Sequence, residues 1–310
     1  MNGDAGEQAR IPVRDVIPRL PRGLGPALDR LYASYNHEDS AQDPIQLVRR
    51  FSRPDDQEIV GFLASGLAFG RVASVLQSIE RVLAALGSSP ARFVRPFDPA
   101  RHAEPLSRIV HRWTRGPDLV ALVCVLQGML REAGSIERFF LGGDDPAAPD
   151  VGPGLESFSA RALAFDLAPA YGRVPRKPGV CYFFPKPSSG SGCKRLNLYL
   201  RWMVRADRVD LGLWHGVPAS RLIVPLDVHV VRLGRCLGLT RYRSPGWRMA
   251  AEITRSLRRF DPADPVRYDF ALCHVGMRDE CGFGRPHGDE RCPLRGFCRP
   301  GGRVSGRRRL

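Results

Sequence analysis

Residues 188–202 read SSGSGCKRLNLYLRW, a glycine turn followed by a run with helical spacing. Leu196, Leu200 and Met203 recur on one helix face, so Lys194 is predicted to lie in the first turn of a helix. A glycine turn before a helix directs free backbone N–H groups at an anion, most often a phosphate. The stretch therefore predicts an anion-binding turn with a lysine beside it.

The same helical period extends through most of the chain. Residues 72–86, VASVLQSIERVLAAL, carry apolar side chains along one face, and residues 55–69 and 117–132 repeat the pattern. Alternating strand patterns are scarce. The one ambiguous run is LIVPLDVHVVRLG, residues 222–234, whose proline argues against a central strand. The expected fold class is all-α.

The chain is expected to form one helical body between two tails. Residues 1–22 are interpreted as an N-terminal tail, residues 23–298 as the body and residues 299–310 as a disordered basic tail. GGDDPAAPDVGPG, residues 142–154, interrupts the helical pattern. This segment is interpreted either as a flexible loop or as the boundary between two helical lobes.

The excess of basic over acidic residues indicates a polyanionic partner. The 310 residues carry a formal net charge of +15, which favours nucleic acid through phosphate neutralisation. A GC-rich genome would explain the preference for arginine over lysine, but not the excess of base over acid. Since there is no run of 18 apolar residues and no apolar signal-peptide core, the expected location is the cytoplasm, in association with the nucleoid.

Lysine is rare in this chain and confined to one region. Only three of the 47 basic residues are lysines, namely Lys177, Lys186 and Lys194. Arginine stays protonated in proteins, whereas lysine can lose its proton and then act as a nucleophile that forms a Schiff base. Lys194 is therefore a candidate catalytic residue. The alternative is that three lysines survive by chance.

Asp227 is a lone acid inside the apolar run. A buried carboxylate is costly unless it is paired or functional, which makes Asp227 a second catalytic candidate. It also precedes a helical pattern, so it is equally a candidate helix N-cap. The two roles are compatible.

These two elements together resemble the helix-hairpin-helix DNA glycosylases of the endonuclease III type. The hairpin of that superfamily reads roughly G-x-G-x-K-x-x-N, which GSGCKRLN, residues 190–197, matches. Its catalytic aspartate lies in a V-D-T-H segment followed by an arginine, similar to LDVH at residues 226–229 and Arg232 here. The resemblance covers about residues 185–298 and implies a two-lobed, glycosylase-like helical fold. The strings FFPKP, CKRLN, LRWMVR and YDFAL also resemble an uncharacterised bacterial family labelled a domain of unknown function.

The resemblance implies a repair enzyme, a base-excising hydrolase with possible lyase activity, that acts as a monomer on double-stranded DNA. Lys194 would attack C1′ of a damaged nucleotide and Asp227 would deprotonate the amine or stabilise positive charge. Residues on the DNA would be Lys186, Gly190, Ser191, Gly192, Arg195, Asn197 and His229. The aromatic candidates for the base pocket are Phe183, Phe184, Tyr199 and Trp202. The long segment between Lys194 and Asp227 resembles that of archaeal 8-oxoguanine glycosylases, which favours an oxidised purine as the lesion.

The C-terminal cysteines resemble a metal-binding loop. Residues 281–298 read CGFGRPHGDERCPLRGFC, and Cys292 and Cys298 have the C-x5-C spacing that closes the iron–sulfur loop of endonuclease III. Cys281 stands where the first ligand would, and His287 or Cys273 is the candidate for the missing fourth. A [4Fe–4S] cluster, zinc and no metal at all remain open.

A second class of function is also compatible with the sequence. A non-catalytic DNA- or RNA-binding protein could use the same scaffold, but it would need only positive charge at Lys194 and no lone acid at Asp227. A two-metal nuclease lacks the tight carboxylate cluster that such chemistry needs.

Overall fold

The computed structural model describes residues 20–39, 43–278, 281 and 290–298. Within those ranges it contains α-helices and short 3-10 helices but no β-strand, so the predicted all-α class is confirmed. The α-helices are α1 (Leu24–Tyr35), α2 (Ile45–Val48), α3 (Pro54–Leu67), α4 (Val72–Leu86), α5 (Pro90–Val94), α6 (Pro99–His102), α7 (Glu104–Ser107), α8 (Gly116–Ala133), α9 (Ile136–Leu141), α10 (Gly152–Ala162), α11 (Ala168–Tyr171), α12 (Lys194–Val204), α13 (Val228–Cys236), α14 (Trp247–Leu257) and α15 (Asp269–Met277). The 3-10 helices are Gly179–Phe183, Pro187–Ser189 and Ala219–Arg221.

The predicted helices lie close to the observed ones. The helix predicted at residues 72–86 is α4, and those predicted at 55–69 and 117–132 correspond to α3 and α8. The ambiguous run at residues 222–234 splits in two. Its first part forms no helix, and α13 begins directly after Asp227. Pro225 explains the split, because a proline disfavours helix in the residue before it.

Helix α3 lies in the core and holds α12 in place. Every residue from Glu58 to Leu67 is buried, and α12 packs along this helix. The contact depends on Gly61, since a Cβ there would lie 2.7 Å from Met203 Cε and 3.3 Å from Tyr199 Cε2. The close approach fixes the helix whose first residue is Lys194.

The aromatic side chains predicted to form the base pocket belong to the core. Phe183, Phe184 and Trp202 are 1%, 2% and 0% exposed, and Tyr199 is also buried. Phe184 stacks on Phe62 of α3 with ring centroids 5.5 Å apart. Their packing in the core gives no support to the predicted base pocket, which would have to receive an extruded base.

The loop between α9 and α10 is tied down by one arginine. Arg221 donates to both carboxylate oxygens of Asp144, at 2.7 and 2.9 Å, and to the carbonyls of Asp145 and Ala148. Residues 152–154 already belong to α10. This anchoring argues against the flexible-loop interpretation of residues 142–154.

The predicted tails fall largely outside the described residues, which exclude 1–19 and 299–310. In the described part of the chain, no helix combines the length and the apolar character needed to cross a bilayer.

Candidate functional site

The glycine turn leads directly into α12. Gly190 has a left-handed backbone with φ 80°, and the N-cap Cys193 is left-handed as well, with φ 46° and ψ 34°. A non-glycine residue seldom adopts this conformation, so the surroundings must hold Cys193 in place. The Cys193 N–H donates to Ser191 Oγ at 3.1 Å.

Asn197 holds the turn. Its Nδ2 donates to the Gly192 carbonyl at 3.1 Å, and the residue is only 1% exposed. The observed role of Asn197 is to hold the turn, and its contact with DNA stays a prediction. The elements before the turn also depart from a helix-hairpin-helix, because Gly179–Phe183 and Pro187–Ser189 are 3-10 helices rather than one α-helix.

Lys194 begins α12 and points toward the end of α3. Its Nζ donates to the carbonyl of Ala68, the C-cap of α3, at 3.1 Å. The side chain is half-buried and lines two cavities. One carbonyl uses one of the three donors of an ammonium, so the amine remains accessible to a ligand in either cavity.

Asp227 is the N-cap of α13, as predicted. Its Oδ1 accepts from the N–H groups of His229 and Val230 at 2.9 and 2.8 Å. Its Oδ2 accepts from Cys273 Sγ at 2.9 Å. Burial, followed by the charge of Asp227, raises the pKa of the Cys273 thiol well above its usual range, so that thiol remains a donor. These contacts orient Asp227 and leave part of its acceptor capacity unused.

A cavity of about 680 Å³ brings the two catalytic candidates together. Pockets for small ligands fall in this size range. Lys194, Asp227 and His229 line it, along with Arg201, Asp269 and Cys273. Since 33 positions separate Lys194 from Asp227 in the chain, their shared wall depends on the tertiary fold and not on local sequence.

A second cavity of about 220 Å³ adjoins Lys194 on the side of the glycine turn. Ser191, Gly192, Lys194 and Arg195 line it. Gly190 is exposed and Lys186 is half-buried, and neither residue lines either of these two cavities. His229 lies on the larger cavity and packs its ring against Gly276 of α15, where a Cβ would come within 2.9 Å of Nδ1.

An exposed aromatic and basic surface lies beside the smaller cavity, and the sequence interpretation missed it. Trp113 stacks on Phe69 with ring centroids 4.6 Å apart, and its ring centroid lies 5.7 Å from that of Tyr182. Trp113 is 48% exposed and Tyr182 is 50% exposed. Arg195 lies over the rings of Phe69 and Tyr182, and Arg112 lies over Trp113. Burial lowers the pKa of Arg195 to about 10, which keeps it cationic at neutral pH. We call these five residues the aromatic surface.

A buried ion-pair network contributes Arg201 and Asp269 to the wall of the larger cavity. Arg201 donates to Asp269 Oδ2 at 2.6 Å and to Asp210 Oδ1 at 3.2 Å. Burial raises the pKa of Asp269 to about 7, against the opposing effect of Arg201 and with a contribution from Asp227. Near neutral pH, Asp269 is thus close to its midpoint of protonation.

The raised pKa of Asp269 predicts a pH-dependent stability. An aspartate in an unfolded chain titrates near pH 3.9, so the folded protein binds this proton more tightly. The stabilising contribution is complete below about pH 4 and is lost as the pH rises through 7, at no more than about 1.4 kcal/mol per pH unit. Urea unfolding at pH 5 and 7 should show wild type losing more stability than Asp269→Asn. An identical loss in both proteins would contradict the assignment.

Three cysteines form a group that could hold a metal ion. The Sγ atoms of Cys236, Cys281 and Cys298 all lie within 4.8 Å of one another. Cys281 and Cys298 were predicted ligands, whereas Cys236, at the end of α13, was not. Cys292 is buried but is not a member of this group, and His287 lies outside the described residues. Cys273 contacts Asp227, which places it in the cavity rather than in the cysteine group.

The fold and the site define an all-helical protein with a lysine and a carboxylate on one cavity, next to a basic and aromatic surface. Residues 43–278, well over half of the chain, match the family model described as "Protein of unknown function (DUF2400)", and the chain belongs to that family. The matched region includes Lys194, Asp227 and Cys236. A search of curated proteins finds no significant match, and a search of solved structures finds none either.

Proposed function

We propose that this protein is a DNA repair glycosylase that excises a damaged base and then cleaves the strand as a lyase. The observation that carries the proposal is the shared cavity of Lys194 and Asp227. A lysine that can lose its proton and a carboxylate that can accept one are the two groups that an amine nucleophile needs. The finer features of a two-lobed glycosylase fold and a monomeric state belong to the same proposal.

The chemistry assigns one role to each side chain. Asp227 accepts a proton from the Lys194 ammonium, and the neutral Nζ attacks C1′ of the damaged nucleotide. The C1′–N bond breaks, its electron pair leaves with the base, and the base takes up a proton. The C1′–O4′ bond then breaks, O4′ takes up a proton from the amine nitrogen, and a Schiff base forms between Lys194 and C1′. Loss of a C2′ proton to solvent drives β-elimination, in which the C3′–O bond breaks and its electron pair leaves with the 3′ phosphate. Asp227 passes the proton it accepted to the departing base, and its restored carboxylate then stabilises the positive charge of the Schiff base.

Features around the cavity suit double-stranded DNA. A target base has to leave the stack before Nζ can reach C1′. The aromatic surface offers exposed rings and guanidinium groups where the strand would open, and base stacking on such side chains is worth about 1–3 kcal/mol per base. The net charge of +15 provides phosphate attraction.

Base release tests the proposal directly. Duplexes carrying 8-oxoguanine, thymine glycol or uracil, together with an unmodified duplex, are incubated with the protein and treated with alkali to cleave abasic sites. We expect release from one lesion class, with an oxidised purine as the leading candidate, and none from the unmodified duplex. Salt-sensitive binding without release from any lesion would favour the non-catalytic binding protein instead.

We also propose that the cysteine group holds a metal, either zinc or an iron–sulfur cluster. Crowding among the three thiols, two of them buried and that of Cys298 half-buried, raises the pKa of Cys236, first through Cys281 and then through Cys298. A cation would reverse that effect, because coordinated thiols are deprotonated. Cys292 is the candidate fourth ligand, since it is a buried thiol in the same C-terminal segment. The metal would fasten this segment to the end of α13, whose opposite end is capped by Asp227.

Cys236→Ser is expected to lose the bound metal. Because the free energy of metal binding is also folding free energy, the melting temperature should fall by roughly 5–10 °C. Elemental analysis and visible absorption, which only an iron–sulfur cluster would show, identify the metal. Cys124→Ser, at a cysteine outside the group, is the matched control. Wild-type protein without metal, or a Cys236→Ser variant that retains it, would refute the site.

A further inference from the structure

Two buried charged groups on the larger cavity each have one atom without a hydrogen-bond partner. Among the described residues, Arg201 Nη2 and Asp269 Oδ1 have none, although Arg201 is 2% exposed and Asp269 is 3% exposed. Both residues line the cavity that also contains Lys194 and Asp227. Buried polar atoms are nearly always bonded, so this pair calls for an explanation.

The other polar atoms of the Arg201 guanidinium, and the other carboxylate oxygen of Asp269, have hydrogen-bond partners. Arg201 Nη1 bonds to Asp269 Oδ2, and Arg201 Nε bonds to Asp210 Oδ1. A bidentate arginine–carboxylate pair would use the second oxygen of Asp269 as well. Here that oxygen and Nη2 remain free, which presents one donor and one acceptor from two side chains that are joined by a 2.6 Å bond.

We infer that Arg201 Nη2 and Asp269 Oδ1 bind the hydrogen-bonding edge of an extruded lactam base, with a carbonyl oxygen on Nη2 and the adjacent ring N–H on Oδ1. Guanine-type bases present this edge as O6 and N1–H, and uracil-type bases present it as O4 and N3–H. The inference rests on the proposed function and names the substrate class of the same cavity.

Adenine and cytosine fit the pair less well. In the same orientation they place an amino group against Nη2, which sets two donors against each other. In the opposite orientation the partner of Nη2 is a ring nitrogen, a weaker acceptor than a carbonyl oxygen. Carbonyl oxygen is also the usual base atom for arginine, as in its contact with guanine O6.

Nucleoside binding to the full chain tests the inference without turnover. Binding of 8-oxo-2′-deoxyguanosine, 2′-deoxyuridine and 2′-deoxyadenosine is measured at pH 8 by ligand-observed NMR. At least one lactam nucleoside should bind about tenfold or more tightly than deoxyadenosine, equivalent to about 1.4 kcal/mol. The first two ligands distinguish a purine pocket from a pyrimidine pocket.

A methylated ligand provides a test that changes no protein atom. Blocking the ring N–H, as in 1-methyl-2′-deoxyguanosine or 3-methyl-2′-deoxyuridine, should reduce binding about tenfold relative to the unmethylated nucleoside. Asp269→Asn puts the amide of asparagine in place of the free acceptor and should remove the preference for lactam bases. Asp264→Asn is the matched control, because Asp264 pairs with the buried Arg205 but lies outside the cavity.

Three results would overturn the inference: equal binding of deoxyadenosine, no effect of methylation, or no nucleoside binding at all. The outcome is separable from that of the proposed function. A protein that binds lactam nucleosides but releases no base from DNA would retain this site and lose the glycosylase proposal. If Asp269→Asn and wild type release a base with the same lesion preference, the glycosylase proposal stands and the assignment of this base-binding site fails.

Discussion

The Lys194→Arg variant is expected to bind lesion-containing DNA at close to wild-type affinity and to form no covalent adduct with it. A guanidinium keeps the positive charge and the donor to the Ala68 carbonyl, but it cannot become a neutral amine and form a Schiff base. Fluorescence anisotropy measures the binding, and borohydride reduction traps the adduct.

Lys177→Arg is the matched control for this experiment. Lys177 is exposed, lies 17 residues before Lys194 and lines neither cavity, so its replacement should leave adduct formation unchanged. An adduct that persists in Lys194→Arg would exclude Lys194 as the nucleophile. Loss of the adduct in Lys177→Arg would show that the nucleophile had been assigned to the wrong lysine.

Asp227→Asn is expected to slow base release by about 10²–10⁴-fold while leaving the fold intact. Positioned acid–base groups contribute this much to catalysis. Asparagine is as good an N-cap as aspartate, so the amide oxygen should still accept from the start of α13. Single-turnover rates on the preferred lesion and melting temperatures give the two readouts.

Asp227→Ala separates the two roles of this residue. Alanine removes the cap as well as the charge, which should cost a further 0.5–2 kcal/mol of stability, or roughly 1 kcal/mol in a typical helix. We expect both variants to be slow but only Asp227→Ala to be destabilised. A wild-type rate in Asp227→Asn would restrict Asp227 to a structural role.

The parts of the fold that are encoded locally could be predicted from the sequence. The period of α4 and the proline that delays α13 are local signals, and so is the glycine turn before Lys194. Asp227 was recognisable because one acid stood within an apolar run. In each case the physical cause lies within a few residues of the feature.

The location of the aromatic side chains depends on packing between distant segments, which local patterns do not encode. Phe183 and Tyr182 are neighbours in one 3-10 helix, yet Phe183 fills the space above Gly66 of α3 and Tyr182 is exposed. Trp113 lies almost 70 positions away in the chain from Tyr182, its partner in the aromatic surface. Arginines on both sides of WT in HRWTRG were the available signal for a nucleic-acid surface.

Cys236 was missed for a similar reason. It lies 45 positions before Cys281 and inside a helical pattern, so it resembled a core cysteine rather than a ligand. Only the return of the C-terminal segment to the end of α13 brings Cys298 near it. The pairing of Arg201 with Asp269 likewise spans 68 positions and is visible only in the folded chain.

The most direct measurement is to locate the residue that becomes attached to DNA. Wild-type protein is trapped by borohydride on the lesion duplex that it processes best, digested with protease, and the adducted peptide is sequenced by mass spectrometry. The proposal predicts a single adduct on Lys194, in the peptide that contains the glycine turn. An adduct on another amine, or none on any of the tested lesions, would contradict the assignment of Lys194 as a Schiff-base nucleophile.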